Sequence, residues 1–234
     1  FILFGGAFGF LANFMGPFFP VFFYDALEMN VAEVGGLVTI ATVAGALSMP
    51  KWGELCDQLG CRSVMGVALS LWMANGYGFL FASPQTTWVL YPIFALGGLF
   101  GAGFLFGSFN MILKLVPPEA KTAAISLNMA VSSLAGALSP VVGGAVIEWA
   151  QVAFDDFLRV FHVLSAVHHT LLLCLVPLLF AIEEPKSVGL RQAIGAMRSY
   201  RQIGALLGLS FLVNYSFIKR PKPRRPTRAR APRA

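Results

Sequence analysis

Pro50-Lys51-Trp52-Gly53-Glu54-Leu55-Cys56-Asp57-Gln58-Leu59-Gly60-Cys61-Arg62 separates two long apolar runs, 33–50 and 64–82. Each run is about 18 residues or slightly longer, close to what a helix needs to cross a hydrocarbon core. The stretch between them holds four formal charges and two glycines. Charges there need water, and glycines permit a short turn between helices. Apolar run, charged turn, apolar run is the pattern of a membrane hairpin. The same alternation recurs at 1–23, 88–113, 122–147 and 158–182. In lipid the backbone must be satisfied within the segment or in a closed barrel. The ten-residue alternation of a barrel is absent, so the expected fold is an all-α membrane protein with six transmembrane helices.

The connections alternate in charge. Tyr24 to Glu33 carries Asp25, Glu28 and Glu33 and no basic residue. The quoted stretch carries Lys51 and Arg62, and the fourth connection carries Lys114 and Lys121. The third, Ser83 to Thr87, is uncharged, and the fifth holds Glu148, Asp155, Asp156 and Arg159. Of the 17 Lys and Arg, all but Arg159 therefore fall on one side of the alternation, most of them after Ala181. Basic connections stay cytoplasmic. Both termini are expected in the cytoplasm, in a bacterial plasma membrane.

Composition agrees. The chain is 57% hydrophobic and 12% charged, against about 45–50% and 25% in soluble domains. The net charge of +6 is concentrated in the tail, so it reads as an anchor near anionic lipid and not as a nucleic-acid surface. Phe1 begins inside an apolar run with no basic n-region, which is not a signal peptide; the chain reads as part of something longer. Cys56, Cys61 and Cys174 match no metal spacing and read as unpaired thiols. No cofactor is expected.

The six runs split into two groups of three. Three is odd, so the second group enters the membrane from the opposite side, giving a 3+3 inverted repeat. Gly97/Gly101 and Gly103/Gly107 in the fourth run, and Ala135, Ser139 and Gly143 in the fifth, repeat every four residues, a spacing that lets helix backbones approach closely. Three regions follow: a six-span bundle over 1–185, an interfacial helix region on the cytoplasmic face over 186–218, and a basic, Pro-containing tail over 219–234 that cannot fold.

Gly53, Asp57, Gly60 and Arg62 keep the spacing G-x3-D-x2-G-x-R. This resembles the cytoplasmic loop signature of the major facilitator superfamily, in the weakened form of its C-terminal half, with Gln58 and Cys61 at two positions that are basic in the full pattern. Val116-Pro117-Pro118-Glu119-Ala120-Lys121, followed by Gly136 through Gly144, is similar to the connection between the tenth and eleventh spans of that family. Glu183-Glu184-Pro185 is similar to the close of its last span. The resemblance covers 1–185 and implies the six C-terminal spans of a twelve-span carrier. Such a protein moves a small solute by alternating access, driven by a proton or sodium gradient, and its N-terminal six-span half is a partner. The resemblance also implies that the first, second, fourth and fifth spans line the central cavity. Asn13, Phe14, Phe106, Asn110 and Asn128 are then the candidate substrate contacts, and Gly53, Asp57, Gly60 and Arg62 the conformational loop.

Two other functions fit six spans. His168 and His169 lie near the middle of the sixth run, where an ionisable group is unfavourable and often functional. They admit a membrane enzyme with an intramembrane histidine site, although no nucleophile motif or carboxylate ligand accompanies them. Gly-rich spans also fit a membrane scaffold that transports nothing.

Overall fold

The computed structural model describes residues 1–154, 156–184 and 187–197. The expected 219–234 tail and most of the 186–218 region lie outside the described residues. Among the described residues, six helices are long and apolar enough to cross a membrane: α1 Ile2–Ala26, α2 Val31–Leu59, α3 Cys61–Phe81, α4 Thr87–Leu115, α5 Pro118–Ala153 and α6 Phe157–Phe180. A short helix, α7 Leu190–Met197, follows. The protein is an integral, multi-pass, all-helical membrane protein.

Prolines shape the spans. α1 is regular to Met15, then tightens and widens in turn through Gly16–Phe18 and Phe22–Ala26. Pro17 and Pro20 remove two backbone donors there. α6 is interrupted at Cys174, because Pro177 cannot donate to the carbonyl four residues back. Asn30 starts α2 with a reciprocal cap: its side chain accepts from Glu33 N–H, and the Glu33 carboxylate accepts from Asn30 N–H.

The quoted stretch is not the extended connection its charges imply. α2 continues through Pro50 to Leu59, and the turn shrinks to Gly60 alone. The cause is a second apolar face within the charged segment. Trp52, Leu55, Cys56 and Leu59 recur at the one-turn spacing of a helix, and all four are buried. Gly60 has φ +89°, a region open to glycine. A Cβ there would also lie 2.8 Å from Ser187.

Packing follows an internal symmetry. α2 lies along α4 and α1 along α5, while α3 packs on α4 and α6 on α1. Exchanging α1, α2, α3 for α4, α5, α6 maps this scheme onto itself, as a 3+3 inverted repeat requires. The match reaches single atoms. The Ser48 hydroxyl, besides bonding Gly45 O, reaches the Leu99 carbonyl of α4 at 3.4 Å. The Ser139 hydroxyl donates to the Phe10 carbonyl of α1. A Cβ at Gly98 would overlap the Ala41 carbonyl, and one at Gly9 would come within 2.7 Å of the Ser132 carbonyl. Gly45 faces Gly98 O, and Gly136 faces Gly9 O. Gly9 to Gly98 and Phe10 to Leu99 are both shifts of 89 positions. Ala41 to Ser132, Gly45 to Gly136 and Ser48 to Ser139 are all shifts of 91.

Two apolar clusters fill the bundle, one toward each end. Trp52, Leu55, Met65, Leu69, Phe104 and Met111 belong to the first. Met15, Phe22, Leu37, Phe79, Ile93 and Phe161 belong to the second, where the Phe22 and Phe161 rings stack at 3.7 Å. Lipid is as apolar as these side chains, so close packing and interhelical hydrogen bonds hold the spans together. Ser48→Ala and Ser139→Ala should therefore lower stability equally, by about 0.6 kcal/mol each, measured by thermal unfolding in detergent. A loss at only one site would contradict the symmetry.

Candidate functional site

Five polar residues of the spans converge on one side of the bundle. Here α1, α4 and α5 enclose an open recess of about 560 Å³. Phe4, Phe8 and Phe104 contribute aromatic walls, with the Phe8 and Phe104 rings 4.4 Å apart. Asn13, Ser108, Asn128, Ser132 and Ser133 contribute polar groups. Aromatic surface with a few convergent polar groups is the usual make-up of a small-molecule site.

Small residues bring these walls together. Gly5 and Gly9 let α1 lie against α5; a Cβ at Gly5 would come within 2.6 Å of Asn128 Oδ1. Asn13 donates from Nδ2 to the Gly9 carbonyl at 2.8 Å, which leaves its amide oxygen to the recess. Asn128 Oδ1 is buried and has no hydrogen-bond partner among the described residues. An acceptor left in that condition costs about 1–3 kcal/mol, and a donor entering the recess would satisfy it.

Of the expected contacts, Asn13 and Asn128 line the recess. Phe14, Phe106 and Asn110 do not. Adjacent helical residues differ by about 100°, so Phe14 turns from Asn13 into the second apolar cluster. The Phe106 ring meets Gly53 of α2 instead, and Asn110 Nδ2 donates to the Phe106 carbonyl at 2.9 Å one turn back. The expected contribution of α2 to the lining is likewise absent from this recess, and α3 and α6 do not line it. Ser108, Ser132 and Ser133 complete the face. The spacing of Ser132 and Ser133 from Asn128 was readable, but α5 also carries Ser126 and Ser139.

A second polar constellation closes the basic end. Glu184, just past α6, reaches back to the first turn of α3. Its Oε1 accepts Cys61 N–H at 3.0 Å and its Oε2 accepts Arg62 N–H at 2.8 Å. A carboxylate at a helix N-terminus offsets both the orphan donors and the helix dipole. Lys114 Nζ stands 3.9 Å from the same carboxylate. Arg62 donates from Nη1 to the Ile182 carbonyl at 2.9 Å, and its guanidinium lies 5.6 Å from the Phe180 ring centre. Val188 N–H bonds Leu59 O at 3.0 Å, and Ser63 bonds Ser187 and the Val188 carbonyl. Ala193 of α7 is buried, which seats that helix beside α3.

This clasp relocates the expected loop chemistry. Gly60 and Arg62 are in it. Asp57 is exposed, with no hydrogen bond or ion pair among the described residues, and Gly53 only gives space to Phe106. The carboxylate that serves the α3 N-terminus is Glu184. Sequence distance concealed it, because the partners stand more than 120 positions apart.

The histidines of α6 are structural neighbours. His168 and His169 are both buried, and His169 Nδ1 donates to Ser165 O at 2.6 Å. Gly76 leaves the space His169 occupies against α3. Among the described residues, no group of three side chains is arranged to hold a metal.

Residues 2–228 match the family model described as Major Facilitator Superfamily. Among curated proteins, the chain is 30% identical over 139 residues to the multi-drug resistance efflux pump PmrA of Streptococcus pneumoniae. That stretch is 56% of the chain and 33% of the pump. It is 28% identical over 114 residues to the uncharacterized MFS-type transporter YfiU of Bacillus subtilis, covering 48% of the chain and 21% of that protein. The matched stretches thus span a third or less of the length of these relatives.

Proposed function

Since the chain belongs to the Major Facilitator Superfamily, we propose that it forms one half of the solute path of a secondary transporter working by alternating access. The family is one of transporters, which argues against the membrane-enzyme reading. The observation that carries the proposal is the recess between α1, α4 and α5, with the unpartnered Asn128 oxygen beside Asn13 and three serines. Its phenyl rings and uncharged polar groups suit an organic solute with an apolar body and at least one hydrogen-bond donor. The efflux pump among the relatives supports export as the direction. A proton or sodium gradient is the proposed drive.

The path needs a second wall. The recess opens on one side, and α2 and α5 expose Val38, Leu47, Leu134, Leu138 and Val141 on long unpartnered faces. We place a second six-span bundle there, encoded with this one in a longer chain. In membranes carrying the whole transporter, Asn128→Leu should raise KM for the exported solute about tenfold with folded protein retained, because about 1.4 kcal/mol of binding is lost. An unchanged KM would remove Asn128 from the site.

The charge alternation supports placing both termini in the cytoplasm of a bacterial cell. A membrane-impermeant maleimide added outside should label Glu148→Cys and spare Lys121→Cys. The reverse pattern would invert the topology.

A further inference from the structure

The recess and the clasp leave two buried nucleophiles unused. Cys56 lies in the last turn of α2, on its buried face, and Cys61 opens α3, on either side of the single-residue turn at Gly60. They are 2% and 0% exposed. Both belong to the first apolar cluster, and Glu184 ties Cys61 to Lys114: its Oε1 accepts Cys61 N–H at 3.0 Å and stands 3.9 Å from Lys114 Nζ. Lys114 Nζ also stands 3.4 Å from the Cys56 carbonyl. Cys174, by contrast, is exposed on α6, far along the chain from both.

We propose that Cys56 and Cys61 form a dithiol modification site that a hydroperoxide oxidises to an intrachain disulfide across the Gly60 turn. Cys61 is the attacking group. It sits in the first turn of a helix beside an ammonium, and both place positive charge near its sulfur; Cys56 sits at the carbonyl end of a helix. Glu184 opposes this in part, but its oxygens are engaged by two N–H groups.

The Cys61 thiolate attacks one peroxide oxygen. The O–O bond breaks, Cys61 becomes a sulfenic acid, and the other oxygen leaves as an alcohol or water after taking a proton. The Cys56 sulfur then attacks the sulfenic sulfur, the S–O bond breaks, and water leaves with the Cys56 proton. Two thiols lose two electrons in total, and the peroxide gains them. The proposed access is a recess of about 520 Å³ lined by Arg62, Lys114, Leu115, Glu183 and Glu184, of which Glu184 bonds the Cys61 N–H directly. Its charged walls admit a small polar peroxide.

Trypsin cuts after Lys51 and Arg62, so one peptide, Trp52 to Arg62, contains both cysteines. Membranes bearing the protein are treated with hydrogen peroxide, denatured in N-ethylmaleimide, digested and analysed by mass spectrometry. The expected result is a Trp52–Arg62 peptide lighter by two hydrogens and free of maleimide, restored to two labels by dithiothreitol, with Cys174 labelled throughout. In Cys56→Ser, Cys61 should stop at a sulfenic acid that dimedone traps. Lys114→Met should slow disulfide formation by roughly tenfold, and Lys114→Arg should restore it. Two alkylated thiols after peroxide, a sulfinic acid without the link, or an unchanged rate in Lys114→Met would each overturn the proposal. A Cys56→Ser protein that fails to insert leaves the wild-type mass and the Lys114 pair as the deciding readouts.

Discussion

Gly98→Val should leave almost no folded protein. The Gly98 position has no room for a Cβ, because the Ala41 carbonyl of α2 already occupies it. A valine there must drive α2 and α4 apart along their whole contact, which carries Ser48 and Trp52 onto Leu99 O. Overpacking a rigid contact costs about 3 kcal/mol or more when backbone is what must move. Valine is a better helix former than glycine, so the loss is not one of propensity. Gly9→Val should do the same between α1 and α5, through the Ser132 carbonyl. Gly35→Val and Gly36→Val, where nothing lies within 4 Å, should be tolerated. Size-exclusion chromatography in detergent after membrane extraction reads all four. Monodisperse Gly98→Val protein in wild-type yield would show that the α2–α4 crossing is not as close as described.

In the proposed whole transporter, Glu184→Ala should abolish most transport while the six spans still insert. The substitution frees Cys61 and Arg62 N–H at the start of α3 and strips Lys114 of its carboxylate. Hydrogen bonds to a charged group contribute about 1.5–3 kcal/mol each. Glu184 is 8% exposed, so water replaces little of what is lost; Lys114 is half-exposed and recovers its own solvation. The expected consequence is a detached segment after α6 and a loosened α2–α3 turn, with the transport rate below about a tenth of wild type, a loss of at least 1.4 kcal/mol. Glu184→Gln keeps one acceptor and should fall between the two. Asp57→Asn, at an exposed side chain, should matter less than either. Transport and limited proteolysis after Ala181 are the measurements, and wild-type values for both in Glu184→Ala would remove the clasp from the mechanism.

Helix number, span positions and the inverted repeat were legible because lipid imposes them. Length and polarity decide where a span lies, and three spans per group decide the inversion. The repeat register was also present in the sequence, in Ser48 and Ser139 and in the glycines 89 and 91 positions apart, but only the contacts distinguish these pairs from a general richness in small residues. The continuation of α2 past Pro50 was less visible, because its charges mask the face of Trp52, Leu55, Cys56 and Leu59. Rotational setting was hardest to read. Asn13 and Asn128 face the recess while Phe14, Phe106 and Asn110 face other helices. In an almost wholly apolar helix, sequence period gives little indication of which stripe faces protein. Glu184 could be flagged as part of a closing motif, but its partners could not be named across so long a separation.

In the proposed mechanism the α1–α4–α5 face lines an aqueous path open to the two sides in turn. Ser132→Cys places a thiol on that face, and Val163→Cys places one on the exposed side of α6. In oriented membranes carrying the whole transporter, a membrane-impermeant maleimide is applied from one side and then from the other, with and without solute. Ser132→Cys should react from both sides, at rates that solute shifts in opposite directions, and Val163→Cys from neither. A Ser132→Cys thiol that no impermeant reagent reaches from either side would contradict this mechanism.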